Sequence, residues 1–236
     1  MDTEISVVIL CYRAGQRVYN FVDRVIRLLE SSAPSWEVVL VGNYLENSND
    51  ETPYIVKKIP SMRKNVKAVV LPKQGMMGWD ARSGLREAAG RFICLIDGDE
   101  QMPPEDIIRV YKKIKEENLD FVKTYRVKRN DNIMRRITSC VYNFIFRVLF
   151  PRIGLNDINS KPKIFTKEAY GRLHLISDDW FLDAEMVIQA RKAKFKMGEV
   201  PTEFFRCEYR KSFVKFQTIF EFIKNLFFAR TREYFK

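Results

Sequence analysis

Residues 92–104 read Phe92-Ile-Cys-Leu-Ile-Asp97-Gly-Asp99-Glu-Gln101-Met-Pro-Pro104. The apolar run from Phe92 to Ile96 has the length and continuity of a strand buried on both faces of a parallel sheet. It ends in two carboxylates separated by one glycine. Ligands of open α/β sheets sit beyond the carboxyl ends of the strands, so an acidic pair there is placed for chemistry. Two carboxylates this close repel unless a cation lies between them. A hard dication such as Mg²⁺ or Mn²⁺ answers that need and leaves coordination positions for substrate phosphates. Gly98 is expected to let the chain turn so that both acids face one point. Pro103 and Pro104 are expected to open a helix. The competing reading, a solvated turn with two acids, loses ground to the buried strand before it and the helix start after it.

Outward from this stretch, 236 residues suffice for one large α/β domain with a real core. The charge is unusual: 41 Lys and Arg against 30 Asp and Glu, net +11. Such a balance favours polyanions, whether nucleic acid, an anionic membrane surface or phosphate-bearing substrates. The N-terminus begins Met-Asp-Thr-Glu and reads as a strand entry rather than a signal peptide. Val141 to Phe150 is the most continuous apolar stretch, too short and too interrupted by Asn143 and Arg147 to span a bilayer. Cys11, Cys94, Cys140 and Cys207 are far apart, as expected of reduced thiols in a cytosolic protein. His174 is the single histidine, which argues against a Ser-His-Asp device or a multi-histidine metal site.

In chain order, Ile5–Cys11, Trp36–Val41, Val66–Leu71 and the acidic-tipped run read as four strands. Helical periodicity lies between them, at Val18–Leu29, after Thr52-Pro53 and at Trp79–Ala89, with another helix at Ile107–Ile114. This alternation implies right-handed crossovers and a mainly parallel, Rossmann-like sheet flanked by helices. Leu119–Tyr125 reads as a further strand. The basic run behind it (Arg126, Lys128, Arg129, Arg135, Arg136) is either a solvated face or a set of phosphate contacts. Ile137–Phe150 reads as an aromatic-rich helix and Ile164-Phe165 as a short strand. Ser177-Asp178-Asp179-Trp180 reads as the cap of a helix, and Phe195–Val200 as an edge strand stopping at Pro201. From Ser212 a wide apolar face (Phe213, Phe216, Ile219, Phe220, Ile223, Leu226, Phe227) alternates with Lys and Arg. A basic amphipathic helix over 211–236 either packs on a domain of residues 1–210 or lies in a membrane interface.

These motifs, in this order, resemble family-2 glycosyltransferases of the GT-A fold, and among them the dolichyl- or polyprenyl-phosphate mannose (or glucose) synthases. The resemblance rests on Ser6–Tyr12, Ser48-x-Asp50-x-Thr52, Gly75-x-x-Gly78 with Gly84-Leu85 and Gly90, Asp97-x-Asp99-x-Gln101-x-Pro-Pro104, Asp157-x-x-Ser160, Glu185 and Glu199-x-Pro201. It implies that Asp97, Asp99 and Gln101 hold Mg²⁺ or Mn²⁺, and through it the donor diphosphate. Arg126, with Arg135 or Arg136, would neutralise phosphates of donor or acceptor. Tyr12, Asn43, Asp50, Lys73, Gly75, Asp157 and Ser160 would line the donor and phosphate sites, as would Arg206, Arg210, Lys211 and Ser212. Three positions depart from the family pattern. Gly42-Asn43 stands where relatives carry paired acids, Arg13-Ala14 follows the first-strand tyrosine, and Lys161-Pro162-Lys163 replaces a glycine-containing turn.

The resemblance implies an inverting, metal-dependent transfer of a mannose- or glucose-type sugar from a nucleotide diphosphate sugar to a polyprenyl phosphate. The enzyme would be a peripheral protein at the cytoplasmic face of an anionic membrane. A phosphate nucleophile needs no general base. A surface-glycan hydroxyl acceptor would need one, and Asp178 or Asp179, at a helix start, is then the candidate, with helix capping as the alternative role. A nucleic-acid-binding protein would also explain the charge. The aromatics, however, sit in core-like positions rather than between basic residues, so no nucleic acid partner is expected. Nothing in the sequence sets the oligomeric state.

Overall fold

The structure is a computed structural model that describes residues 2–129, 133–151, 153–205 and 216–234. Seven strands form one sheet: β1 (Ile5–Leu10), β2 (Trp36–Val41), β3 (Val66–Val69), β4 (Phe92–Asp97), β5 (Phe121–Arg129), β6 (Lys163–Thr166) and β7 (Met197–Phe204). Their spatial order is β3-β2-β1-β4-β6-β5-β7. All neighbours pair in parallel except β6, which runs antiparallel to both β4 and β5. The acidic tip of β4 and the distal end of β5 therefore open on the same edge of the sheet, and β6 begins at that edge.

Helices α1 (Arg17–Ser32), α2 (Thr52–Met62) and α4 (Glu105–Glu116) cover one face, burying Phe21, Val25, Leu29, Ile55, Ile59 and Ile107 against Val7, Leu40 and Cys94. The other face is covered by α3 (Met77–Leu85), α5 (Ile133–Leu149), α7 (Leu182–Lys192) and α8 (Phe216–Tyr234). There Phe146, Phe150, Leu182, Val187 and Leu226 meet Val8, Val39, Leu95 and Phe165. Phe121 and Phe165 stack across β5 and β6 at 4.3 Å between ring centres. A short helix, α6 (Lys167–Gly171), follows β6 with Thr166 as its side-chain cap.

Some expectations change. The last strand runs through Pro201 to Phe204 instead of stopping before it, because β7 is the sheet's outer strand and a proline there forfeits no inner ladder bond. The turn after β4 is carried by Glu100, at φ 58°, not by Gly98. Gly98 serves close approach instead: its N–H donates to the Leu10 carbonyl at 2.8 Å, and a Cβ there would lie 3.0 Å from Ile9 Cγ2.

Leu226 of α8 is fully buried beside α5, whereas Phe227 and Phe228 are exposed. On α5, Ile137, Val141, Phe144 and Val148 are exposed at intervals of four, three and four residues, which places them on one side of the helix. No helix among the described residues is long and apolar enough to cross a membrane.

Candidate active site

The β4 tip is fastened at both ends. Asp99 Oδ1 accepts the Gln101 N–H at 3.2 Å. Gln101 Nε2 donates to the Phe205 carbonyl at 3.0 Å, and the Phe205 N–H donates back to the Gln101 carbonyl at 2.9 Å, joining the acidic loop to the end of β7. The Asp97 side chain is 35% exposed, so the strand tip reaches solvent.

Beneath it lies a cluster of buried charge. Lys161 Nζ lies 3.2 Å from Asp97 Oδ2 and 3.1 Å from Asp183 Oδ2. The other Asp183 oxygen accepts from Lys163. Lys123, paired in register with Lys163 across β5 and β6, donates to Glu199 Oε1 at 2.6 Å and to the Thr124 carbonyl at 2.7 Å. The side chains of Lys123 and Lys163 are fully buried and those of Lys161 and Asp183 nearly so. Charges this deep persist only when paired. Burial works against the Lys161 ammonium, but Asp183 and then Asp97 outweigh it and hold its pKa above the ordinary lysine range. Lys163 has one carboxylate to share with its neighbour; burial wins, and its pKa falls to about 8. The Asp183 carboxyl is held below its ordinary range although burial opposes this, because two lysines face it.

Next along the edge, Arg126 grips Asp157 with two prongs, Nε to Oδ2 at 2.5 Å and a terminal nitrogen to Oδ1 at 2.8 Å. Its guanidinium stands 5.2 Å from the Phe204 ring centre. Ser160 Oγ and Thr124 Oγ1 lie 2.7 Å apart, both buried, and Thr124 donates to the Lys161 carbonyl at 2.6 Å. Ser160 and Thr124 thus anchor the backbone that presents Lys161. Arg136 is on the exposed side of α5. Arg206, Arg210, Lys211 and Ser212 lie outside the described residues, as does the side chain of Arg135.

On the β1–β2 side, a cleft of about 400 Å³ is lined by Arg13, Ala14, Gly15, Asn49, Asp50 and Glu51. Asp50 accepts the Thr52 hydroxyl at 2.5 Å and the Arg13 N–H at 3.3 Å. Lys73 pairs with buried Asp80 and lies 4.3 Å from the centre of the Tyr12 ring. Asn43 is wholly committed to the scaffold: it donates to Asp80 Oδ1 and Ser83 Oγ and accepts the Leu71 N–H at 2.9 Å. The glycines of the Gly75-x-x-Gly78 loop face protein. A Cβ on Gly75 would lie 2.6 Å from the Asp178 carbonyl oxygen, and one on Gly78 would lie 2.5 Å from the carbonyl oxygens of Ser177 and Asp179. The N–H groups of Met76 and Trp79 donate to Asp178, and that of Gly78 to Asp179. Carbonyls from another loop thus satisfy the free donors at the start of α3. The Asp178 side chain pairs with Arg82. Asp179 accepts the Phe181 N–H at 2.8 Å and Asn225 Nδ2 at 2.9 Å, tying the approach to α7 onto α8.

Asp183 and Lys123 were not among the residues singled out from the sequence, and Lys163 only as part of a loop that departs from the family pattern. The signal was charge at positions whose neighbours are all core: Asp183 between Leu182 and Ala184, and Lys163 beside Ile164-Phe165.

Among the described residues no three His, Cys, Asp or Glu side chains form a metal cage. Asp97 and Asp99 offer hard oxygen donors at a solvent-facing tip. Such a pair suits Mg²⁺ or Mn²⁺ if the remaining ligands come from water and substrate phosphates, the usual arrangement for magnesium. The site therefore fits a dication as a partner of a bound diphosphate rather than as a resident ion.

Comparison with known proteins places this geometry among relatives. A family model described as Glycosyl transferase family 2 matches residues 6–173. The undecaprenyl-phosphate 4-deoxy-4-formamido-L-arabinose transferase of Pectobacterium atrosepticum is 27% identical over 144 residues, 61% of this chain and 43% of that protein. Its counterpart in Salmonella choleraesuis is 26% identical over the same lengths. The aligned stretch thus spans less than half of these relatives. Among solved structures, glucosyl-3-phosphoglycerate synthase from Mycobacterium tuberculosis in complex with Mn²⁺, UDP and phosphoglyceric acid superposes with a TM-score of 0.72 at 15% identity, covering 97% of this chain and 78% of that one. The same enzyme with Mg²⁺ and UDP gives 0.71. At that identity the likeness is one of fold: the sheet and its flanking helices are those of the GT-A glycosyltransferases.

Proposed function

The chain belongs to glycosyl transferase family 2, and from that premise we propose that it transfers a sugar from a nucleoside diphosphate donor to a polyprenyl phosphate at a membrane surface. The observation that carries this reading is the Asp97-Gly98-Asp99 tip of β4, solvent-facing and set beside the cationic side chains of Lys161 and Arg126 on one sheet edge. As the sugar–phosphate bond breaks, negative charge accumulates on the departing diphosphate. Fixed cations aimed at that charge lower the barrier, commonly by a few kcal/mol for each such interaction. A dication on Asp97 and Asp99, with Gln101 at hand, would polarise the diphosphate oxygens. Lys161 and Arg126 add charge that is already oriented, Lys161 by two carboxylates and Arg126 by Asp157. The nucleoside would occupy the cleft lined by Arg13, Asp50 and Glu51.

A lipid phosphate as acceptor is favoured by what Asp178 and Asp179 do. Both are engaged in fastening loops, so neither is poised as the base that a hydroxyl nucleophile requires. The exposed apolar line on α5 (Ile137, Val141, Phe144, Val148), with Phe227 and Phe228 on α8, matches a greasy acceptor. So do exposed Arg136, Arg147 and Lys224 on the same two helices. The donor sugar expected from the resemblance is of mannose or glucose type. The named relatives act with 4-deoxy-4-formamido-L-arabinose, so a test should offer hexose and aminopentose donors together. The assay is transfer of radiolabelled sugar into a lipid extract containing polyprenyl phosphate, with Mn²⁺ or Mg²⁺. The expected result is a lipid-soluble product from one donor, lost in Asp99→Ala and retained in Asp178→Asn. Retention in Asp99→Ala, or product only with hydroxyl acceptors, would overturn the proposal.

A further inference from the structure

The carboxylate that would hold a dication already has a cation. Lys161 Nζ bridges Asp97 and Asp183, with its side chain 5% exposed. It cannot swing away cheaply, because leaving would strand an ammonium in the interior and leave Asp183 facing Lys163 alone. Its own backbone is fixed by the Thr124 hydroxyl on the Lys161 carbonyl. Lys161 and Lys163 against Asp183 leave one positive charge, which Asp97 neutralises. Asp99 is half-buried at the same tip. A dication entering there sits across a shared carboxylate from an ammonium. At an effective dielectric of about 20, repulsion at such range is several times thermal energy. A bound diphosphate reverses the sign, since its charge offsets the dication and Lys161 together.

We propose that Lys161 is a positioning residue that makes metal capture conditional on the donor: its ammonium holds Asp97, so a divalent cation binds firmly only together with a nucleoside diphosphate. This rests on the reading of Asp97 and Asp99 as the metal-holding pair. Its consequence is a site that stays empty of metal when no donor is present.

The test is Mn²⁺ binding to the whole protein, followed by electron paramagnetic resonance of the free ion, with and without UDP or GDP and with nucleotide-only controls. Wild type, Lys161→Met, Lys161→Gln and Lys161→Arg are compared, each checked for folding by circular dichroism. Without nucleotide, Lys161→Met and Lys161→Gln are expected to bind Mn²⁺ at least tenfold more tightly than wild type. Lys161→Arg should match wild type, and adding Asp97→Asn to Lys161→Met or to Lys161→Gln should abolish the gain. The nucleotide should tighten Mn²⁺ binding more in wild type than in the neutral variants. A gain of affinity is not what simple damage produces, and the glutamine variant stands in should methionine unfold the chain. Equal Mn²⁺ affinity in wild type and the neutral variants, with Asp97→Asn weakening all of them, would overturn the role of Lys161 and leave the metal-binding pair standing. Absence of Mn²⁺ binding in every variant, even with nucleotide, would overturn both.

Discussion

Replacing Asp183 by asparagine removes the anion shared by two buried lysines while preserving size and one acceptor oxygen. The Asp183 side chain is 6% exposed, Lys161 5% and Lys163 0%, so water cannot take the place of the lost charge. Removing one member of a buried pair costs about 3–5 kcal/mol, chiefly because the partner is left charged and unpaired. Lys161 retains Asp97 at 3.2 Å, and the burden falls on Lys163, so the lower end, about 3 kcal/mol, applies. For a chain of this length, 1 kcal/mol moves the melting temperature by about 2–4 °C, which gives a fall of about 6–12 °C for Asp183→Asn. The decisive comparison adds Lys163→Met to the same chain. With the stranded ammonium replaced by an apolar side chain of similar length, at least half of the loss should return. Differential scanning calorimetry at pH 7 reads both. A fall below about 2 °C in the single variant, or a double variant no better than the single, would refute the view that this cluster is held by charge balance.

Other expectations follow from the same geometry. Gly78→Ala would drive a methyl group into the carbonyls of Ser177 and Asp179; overpacking of this kind costs about 1–3 kcal/mol, and urea unfolding should show the loss. Lys163 has a pKa lowered to about 8 from the ordinary 10.5, first by burial. Between those values the folded chain binds fewer protons at this site than the unfolded chain, so its stability rises with pH by at most about 1.4 kcal/mol per unit. Wild type should therefore gain on Lys163→Met between pH 7 and pH 9 in urea midpoint, and parallel profiles would contradict the assignment. Phe144→Glu with Val148→Glu, both at exposed positions, should change stability by no more than about 0.5 kcal/mol. The same change should weaken sedimentation with vesicles of anionic phospholipid by tenfold or more; undiminished sedimentation would remove α5 from the membrane-facing surface.

Much of the fold is readable before any coordinates. Alternating apolar runs and helical periodicity give the four leading strands, and the β-branched cores of Ile5–Leu10 and Trp36–Val41 tolerate no other placement. What escapes has physical reasons. The reversal of β6 is set by long-range pairing of only four residues, too few for any periodicity to register. α3 ends at Leu85 rather than running to Ala89, although alanine favours helix, because Gly90 must pack on Ser6: its N–H donates to Ser6 Oγ at 2.7 Å. In the candidate site, the acidic tip is legible because two aspartates after a buried strand have few other uses. The lysines beneath it are not, since a lysine in sequence reads as surface unless its partner is known. Asp97, Asp183 and Glu199 sit on three separate elements, β4, α7 and β7. The packing of Gly75 and Gly78 is hidden in the same way: the carbonyls that fill their space arrive from residues about a hundred positions later.

The reversed strand has one more consequence. In a sheet of parallel strands, only strand endings reach the rim where substrates gather, and their beginnings are hidden at the opposite margin. β6 inverts this, delivering its opening residues to that rim, so Lys161 and Lys163 reach it from a segment that takes no part in the parallel crossovers. A lineage could trade a neutral residue for a lysine at position 161, or the reverse, and so adjust how strongly the rim draws a metal while the scaffold stays as it is.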